Sequence, residues 1–302
     1  MVRFFYIYTK KELVYILKFF IRLALSIFCT EVHIKNKHLL DTKGALLIIA
    51  NHPNSFLDAI IIGAYYNRPV YFLARGDVFK KKHHRFLLNA LNMIPVYRLR
   101  EGKEFLHLND YAFQKSIELI SKGAAVLVFI EGTCINNHSL QPFKKGTTRI
   151  LAGLHEKNIF PAIHIVGISY NHFYGIGKKI NIILSNFIYH KKIEQAVDRV
   201  RFNQQVFSQL EQNIIIEKKS TFIKRTIWYY LHKPYYSFIK NWTYKKTKGT
   251  VFFDSVLFSL LLFTYPLFLG LIFILLYQLT IPLPIIFGIL LVIPFLSKNS
   301  LS

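Results

Sequence analysis

Cysteine is nearly absent from this chain of 302 residues, which has only two. Cys29 and Cys134 therefore form no disulfide framework and sit at no metal-ligand spacing, which suits a reducing, cytosol-facing domain. No placed partner activates Cys134, so it reads as a bystander thiol rather than a nucleophile. Acidic residues are also scarce, with 16 Asp+Glu against 39 Lys+Arg and a formal charge of +23. Such a surface attracts an anionic bilayer, an acidic substrate or nucleic acid, and charge alone does not choose among them. Internal repeats and low-complexity tracts are lacking, which excludes solenoids and disordered arrays. What is abundant is apolar: 52% of residues are hydrophobic and mean hydropathy is +0.29, more than an ordinary soluble enzyme carries.

The apolar residues fall in separate places. Leu13 to Cys29 is interrupted by Lys18 and Arg22, which with Lys11 form one stripe at helical spacing. That pattern fits a helix lying in a membrane interface, with a surface helix packed on the domain as the alternative. The charges break any signal-peptide core and no cleavage site stands out, so the segment is expected to be retained. Val256 to Tyr277 has no charge and is long enough to span a bilayer. A second, proline-rich run, Thr280 to Leu296, follows it, so residues 251–302 read as a transmembrane hairpin, the second arm being re-entrant or interfacial in the alternative. Lys245, Lys246 and Lys248 before it and Lys298 after it place both ends, and the domain, on the cytoplasmic face. Residues 225–250, rich in Trp, Tyr and Lys, suit the headgroup layer.

Between these, from residue 32 to 224, strand-like runs alternate with amphipathic segments, as in an α/β domain whose central sheet, mostly parallel or mixed, is flanked by helices. Strands are expected at Ala45–Ala50, Pro69–Ala74, Met93–Tyr97, Ala124–Ile130, Ala162–Ser169 and Ile180–Asn186. Helices are expected at Ser55–Tyr66, Val78–Asn92, Lys103–Lys122, Thr147–Lys157 and Lys191–Ile216.

The polar motifs lie at strand exits. Pro53 biases His52 away from helical dihedrals, so its imidazole sits where the strand ending at Ala50 leaves the sheet. Asp58, in the first turn of the next helix, is close enough to face His52, and such a pair can remove a proton from an alcohol. Ser55-x-x-Asp58 also fits a capping box, in which the carboxylate only satisfies backbone N–H groups. Glu131-Gly132-Thr133 directly follows another strand, and Pro142-Phe143-Lys144-Lys145-Gly146-x-x-Arg149 comes soon after. Glycine there lets the backbone approach a ligand, while Lys144 and Arg149 can neutralise an oxyanion or phosphate. Arg98 and Arg100 alternate on one side of an extended segment, and arginine forks match phosphate geometry. His83, His84 and His107 are poorly placed for a cation beside Lys80, Lys81, Lys82 and Arg85, so no metal site is expected.

The order of these motifs, over residues 30 to 190, resembles the membrane-bound glycerolipid acyltransferases, which include glycerol-3-phosphate and 1-acylglycerol-3-phosphate acyltransferases. Asn51-His52-Pro53-Asn54-x-Phe56-x-Asp58 carries five residues between His and Asp where the family commonly has four, a form similar to its glycerol-3-phosphate and dihydroxyacetone-phosphate branch. Ile94-Pro95-Val96-Tyr97-Arg98 resembles the second family block. Phe129-Ile130-Glu131-Gly132-Thr133 resembles the third, with Ile130 in place of proline, and Ile163–Ile168 only loosely resembles the fourth, with His164 and Gly167 at unexpected places. The resemblance implies direct acyl transfer from acyl-CoA or acyl carrier protein to a phosphate-bearing lipid acceptor, with no cofactor. It makes His52 the general base, held by Asp58. It also implies that Glu131 orients the acceptor, Gly132 permits close approach, and Arg98 and Lys144 bind phosphate. The acceptor expected first is 1-acylglycerol-3-phosphate, then glycerol-3-phosphate, with an aminoacyl lipid as an alternative. A non-catalytic, membrane-tethered basic protein holding anionic lipid or nucleic acid is the rival of another class; nucleic acid is not the expected partner.

Overall fold

The computed structural model describes residues 2–79, 81–97, 107–216 and 227–301. Arg98 and Arg100, with Lys80, Lys103, Lys224 and Arg225, lie outside the described residues. The chain opens with helix α1 (Val2–Phe28), which runs directly into strand β1 (Cys29–Lys35). Then follow β2 (Leu46–Ala50), α2 (Phe56–Tyr65), β3 (Val70–Arg75), α3 (Lys82–Ala90), β4 (Met93–Val96), α4 (Leu108–Ser121) and β5 (Ala125–Phe129). The domain continues through α5 (Gly146–Glu156), β6 (Ala162–Tyr170), β7 (Lys178–Phe187) and α6 (Ala196–Gln212). The C-terminal region holds α7 (Ile227–Thr247), α8 (Phe253–Gln278) and α9 (Leu283–Leu301).

The strands form one seven-stranded mixed sheet in the order β1-β7-β6-β2-β5-β3-β4. Every neighbouring pair is parallel except β6 with β7. β2 lies between β5 and β6 and is buried at every position, which is why it reads as an unbroken apolar run rather than an alternating one. Its side chains alternate between two cores. Leu46, Ile48 and Ala50 meet Leu57 and Ile61 of α2, Leu25 of α1 and Leu257 of α8, whereas Leu47 and Ile49 meet α4, α5 and α6 through Ile117, Leu151 and Phe202. The helices on one face therefore include those that carry the apolar termini.

Helix α1 turns Lys18 and Arg22 of its basic stripe inward. Lys18 Nζ donates to the carbonyls of Tyr66 and Arg68, both at 2.6 Å. Arg22 Nε donates to Ala64 O at 2.7 Å and Arg22 Nη2 to Tyr65 O at 3.2 Å. These are carbonyls at and just past the C-terminal end of α2, where helical acceptors lack partners and a cation complements the macrodipole. Burial and the neighbouring Arg22 lower the Lys18 pKa to about 8. With its charges used in this way, α1 exposes Ile16, Phe19, Phe20 and Leu23 on its outer side.

At the other end, α8 is long and apolar enough to cross a membrane, while the apolar part of α9, Leu283–Leu296, is shorter. This supports association with a membrane. Helix α7 carries the aromatic and basic segment and packs along α8, with Tyr235 stacked on Phe268 at 4.4 Å between ring centroids and bonded to Thr264 at 2.7 Å. Strand β1 was not among the expected elements: the apolar run passes from Phe28 into Cys29 with no breaker, and only its partner β7 separates the strand from the helix. Helix α6 is shorter at both ends than the expected 191–216.

Candidate active site

The central strands β6, β2 and β5 run in the same direction, so their carboxyl ends meet at one edge, the usual place for a site in an open α/β sheet. Asn51 extends β2 past its last residue. Its side-chain amide stands in for a peptide group, accepting from Ile168 N at 2.8 Å and donating to Ile168 O at 2.9 Å. Beyond it His52 leaves the sheet, with its ring stacked on Phe129 of β5 at 3.8 Å and 11°.

His52 Nδ1 lies 2.9 Å from Asp58 Oδ2. The carboxylate is fully buried and accepts from two further donors, Asn54 N at 2.8 Å and Tyr170 Oη at 2.6 Å. A carboxylate surrounded by donors assigns the Nδ1–H tautomer to His52. Nε2 is then the basic nitrogen, and it has no protein partner among the described residues. The capping-box alternative does not form. Asp58 takes Asn54 N–H, Ser55 makes no side-chain cap, and Ser55 N–H donates to Cys134 Sγ at 2.8 Å.

Glu131 is 4% exposed and holds two loops together. One oxygen accepts His52 N–H at 2.9 Å and the other Gln141 N–H at 3.0 Å. Burial raises its pKa, opposed by these two backbone donors. Gly132 has φ +60°, and a Cβ there would lie 2.8 Å from Lys144 Cγ, so the Lys144 stem lies against the glycine and its ammonium end is at the surface. Gly132→Ala should cost about 1–2 kcal/mol of backbone strain and displace Lys144. We expect a melting point lower by a few degrees and a raised KM for the acceptor, with unchanged values for both counting against this packing.

Thr133 is half-buried in the same turn, and the thiol of Cys134 is pushed up by burial and by the Asp58 charge, which keeps it protonated. Arg149 is engaged on the α4–α5 surface, 2.8 Å from Asp110 Oδ1 and 4.8 Å over the Phe113 ring. The structure thus brings together His52, Asp58, Glu131, Gly132 and Lys144, and places Arg149 on an exposed ion pair. His164 is a core residue, between Tyr66 Oη at 2.9 Å and Thr42 Oγ1 at 3.2 Å, with its pKa lowered by burial to about 4.

Sequence reasoning missed Tyr170, Asn54, Lys178, Asp254 and Ser255. Asp254 accepts from Asn54 Nδ2 at 2.8 Å and Gly175 N at 2.9 Å, and pairs with Lys178 Nζ at 2.7 Å with both side chains fully buried. Ser255 Oγ accepts Leu57 N–H at 3.0 Å. A carboxylate at the threshold of an uncharged apolar run was the available signal, since such a group needs a buried partner.

Comparisons with known proteins bear on the domain that carries these residues. The family model described as Acyltransferase matches residues 31–171. No curated protein gives a significant match. Among solved structures, the 1-acyl-sn-glycerophosphate (LPA) acyltransferase PlsC from Thermotoga maritima has a similar fold. Its TM-score is 0.50 at 18% identity, over 66% of this chain and 78% of that one. His52 and Asp58, at the carboxyl edge of the sheet, lie within the matched segment, and residues 31–171 are an acyltransferase domain.

Proposed function

We propose that the chain moves a fatty acyl group from an acyl thioester, carried on coenzyme A or acyl carrier protein, to a hydroxyl of a phosphate-bearing glycerolipid precursor. The acceptor named first is 1-acylglycerol-3-phosphate, ahead of glycerol-3-phosphate. The observation that carries this reading is His52, fixed through Nδ1 by a buried carboxylate with Nε2 open at the carboxyl edge.

Nε2 takes the proton of the acceptor hydroxyl as its oxygen attacks the thioester carbonyl carbon. The C–O bond forms, the tetrahedral oxyanion collapses, the C–S bond breaks, and the thiolate leaves and recovers the proton from the imidazolium. Asp58 stabilises the imidazolium while it exists. Lys144 and Thr133, with Arg98 and Arg100, are the groups proposed to meet the acceptor's phosphate. Arg149 joins them by exchanging its exposed partner Asp110, a weak pair in water, for phosphate. Glu131 fixes the backbone of His52, and its remaining lone pairs face the acceptor in this proposal. Helix α1 lies in the interface by its outer apolar face, the hairpin α8–α9 anchors the domain, and the site works on the cytoplasmic face of an anionic membrane.

The test is transfer by the purified full-length protein, with acyl-CoA and acyl carrier protein donors crossed against the two glycerol acceptors and an aminoacyl lipid. Product is expected with a glycerol phosphate acceptor, and no product from any pair would remove the reading. Cys134→Ala, which loses one hydrogen bond, should lower kcat by less than about tenfold. Loss to background would instead support an acyl-thiol intermediate.

A further inference from the structure

The catalytic turn contains one strained residue. Ser55 has φ 55° and ψ −142°, a region sparsely populated by residues with a side chain, and such strain persists only where the surroundings over-determine it. Restraints lie on both sides of it, and the outer ones come from α8. Before Ser55, the amide of Asn54 is held by Asp254, while its own backbone N–H holds the Asp58 carboxylate. Among the described residues Asn54 Oδ1 is buried with no hydrogen-bond partner, and Asp254 is the group that holds the amide, through Nδ2. After Ser55, Leu57 N–H donates to Ser255 Oγ. Asp254 is in turn fixed by Lys178 and Gly175 N.

We propose that the first turn of the membrane helix α8 is a positioning element of the active site, with Asp254 and Ser255 clamping the strained turn that sets Asp58 against His52. On this view α8 is more than a tether, because the chemistry depends on its first turn wherever the substrate comes from. The proposal rests on the reading of His52 and Asp58 as the proton-transfer pair.

A tether and a positioning element differ in which kinetic constant they move. With purified full-length protein in detergent, octanoyl-CoA as a water-soluble donor and 1-acylglycerol-3-phosphate as acceptor, Ser255→Ala should lower kcat about tenfold or more. Both KM values should stay within about twofold. Ser255→Thr, which keeps the acceptor oxygen, should restore kcat. Because removing one member of a buried ion pair can unfold the protein, the second test removes both. Asp254→Leu/Lys178→Met should lose kcat in the same way, and Asp254→Asn/Lys178→Met, which keeps an acceptor for Asn54, should regain it. Unchanged kcat in Ser255→Ala and in the Leu/Met pair overturns the proposal, as does a change confined to KM for long-chain donors.

A second readout needs no turnover. His52 meets the Asp58 carboxylate at Nδ1 and Glu131 at its backbone, with Cys134, Tyr170 and the Lys178–Asp254 pair behind them. The rate at which diethyl pyrocarbonate acylates His52 at neutral pH, followed by mass spectrometry, should rise several-fold in Ser255→Ala, towards the rate of Asp58→Ala, which removes the contact at Nδ1. An unchanged rate overturns the proposal. If the wild type transfers no acyl group while this rate responds, the transfer reading fails and the positioning role stands.

Discussion

His52→Ala is expected to lower kcat about 10³- to 10⁴-fold, the upper part of what a positioned general base contributes. The side chain is 18% exposed and its removal leaves no buried charge alone, because Asp58 keeps Asn54 N–H and Tyr170 Oη. The melting temperature should therefore move little, and the loss should appear in kcat with KM nearly unchanged. Asp58→Asn separates orientation from charge. With its amide oxygen toward His52 and Asn54 and its NH₂ toward Tyr170 Oη, which can accept, the variant keeps every contact and the Nδ1–H tautomer. What it loses is the negative charge beside the developing imidazolium, so a fall of about 10²- to 10³-fold is expected, smaller than for His52→Ala. Steady-state kinetics of both variants checks the order. Equal activity of His52→Ala and wild type would remove His52 from the reaction.

The largest stability effect is expected at Lys178, which is not in contact with His52. Lys178→Met leaves Asp254 buried without its cation, and breaking a buried pair from one side costs about 3–5 kcal/mol. Replacing both, as Asp254→Asn/Lys178→Met, removes the uncompensated charge and should recover more than half of that loss. Thermal or denaturant unfolding in detergent measures both. If the single variant is as stable as wild type, the pair contributes nothing and the buried geometry is not what holds β7 to α8.

The parts of this arrangement that could be read from sequence are those set locally. Ala45–Ala50 and Ala124–Ile130 are short apolar runs with polar motifs after them, so β2 and β5 and the exits of His52 and Glu131 follow from pattern. The five-residue spacing between His52 and Asp58 is closed by one turn, and their contact was within reach for the same reason. Tyr170 and Asp254 were not, because they meet Asp58 and Asn54 from 112 and 200 residues away, and nothing in a periodicity reports that distance. The α1 stripe was visible as a pattern but not its direction. Whether Lys18 and Arg22 face lipid headgroups or helix carbonyls depends on α2 ending beside them. The glycine at 132 was noted for a different reason: its φ and the Lys144 stem against it are properties of the turn, while the motif suggested only room for a ligand.

Strand direction explains why chemistry and membrane elements share an edge. Had β7 run parallel to β6, its first residue would sit at the far side of the sheet, roughly 30 Å away for a strand of this length. The reversal at β7, inherited by β1 through their parallel pairing, instead brings Lys178 and the end of α1 to the edge where β2, β5 and β6 finish. The edge that carries His52 and Asp58 is thus also the edge at which the apolar helix α8 begins, and strand topology alone sets that juxtaposition.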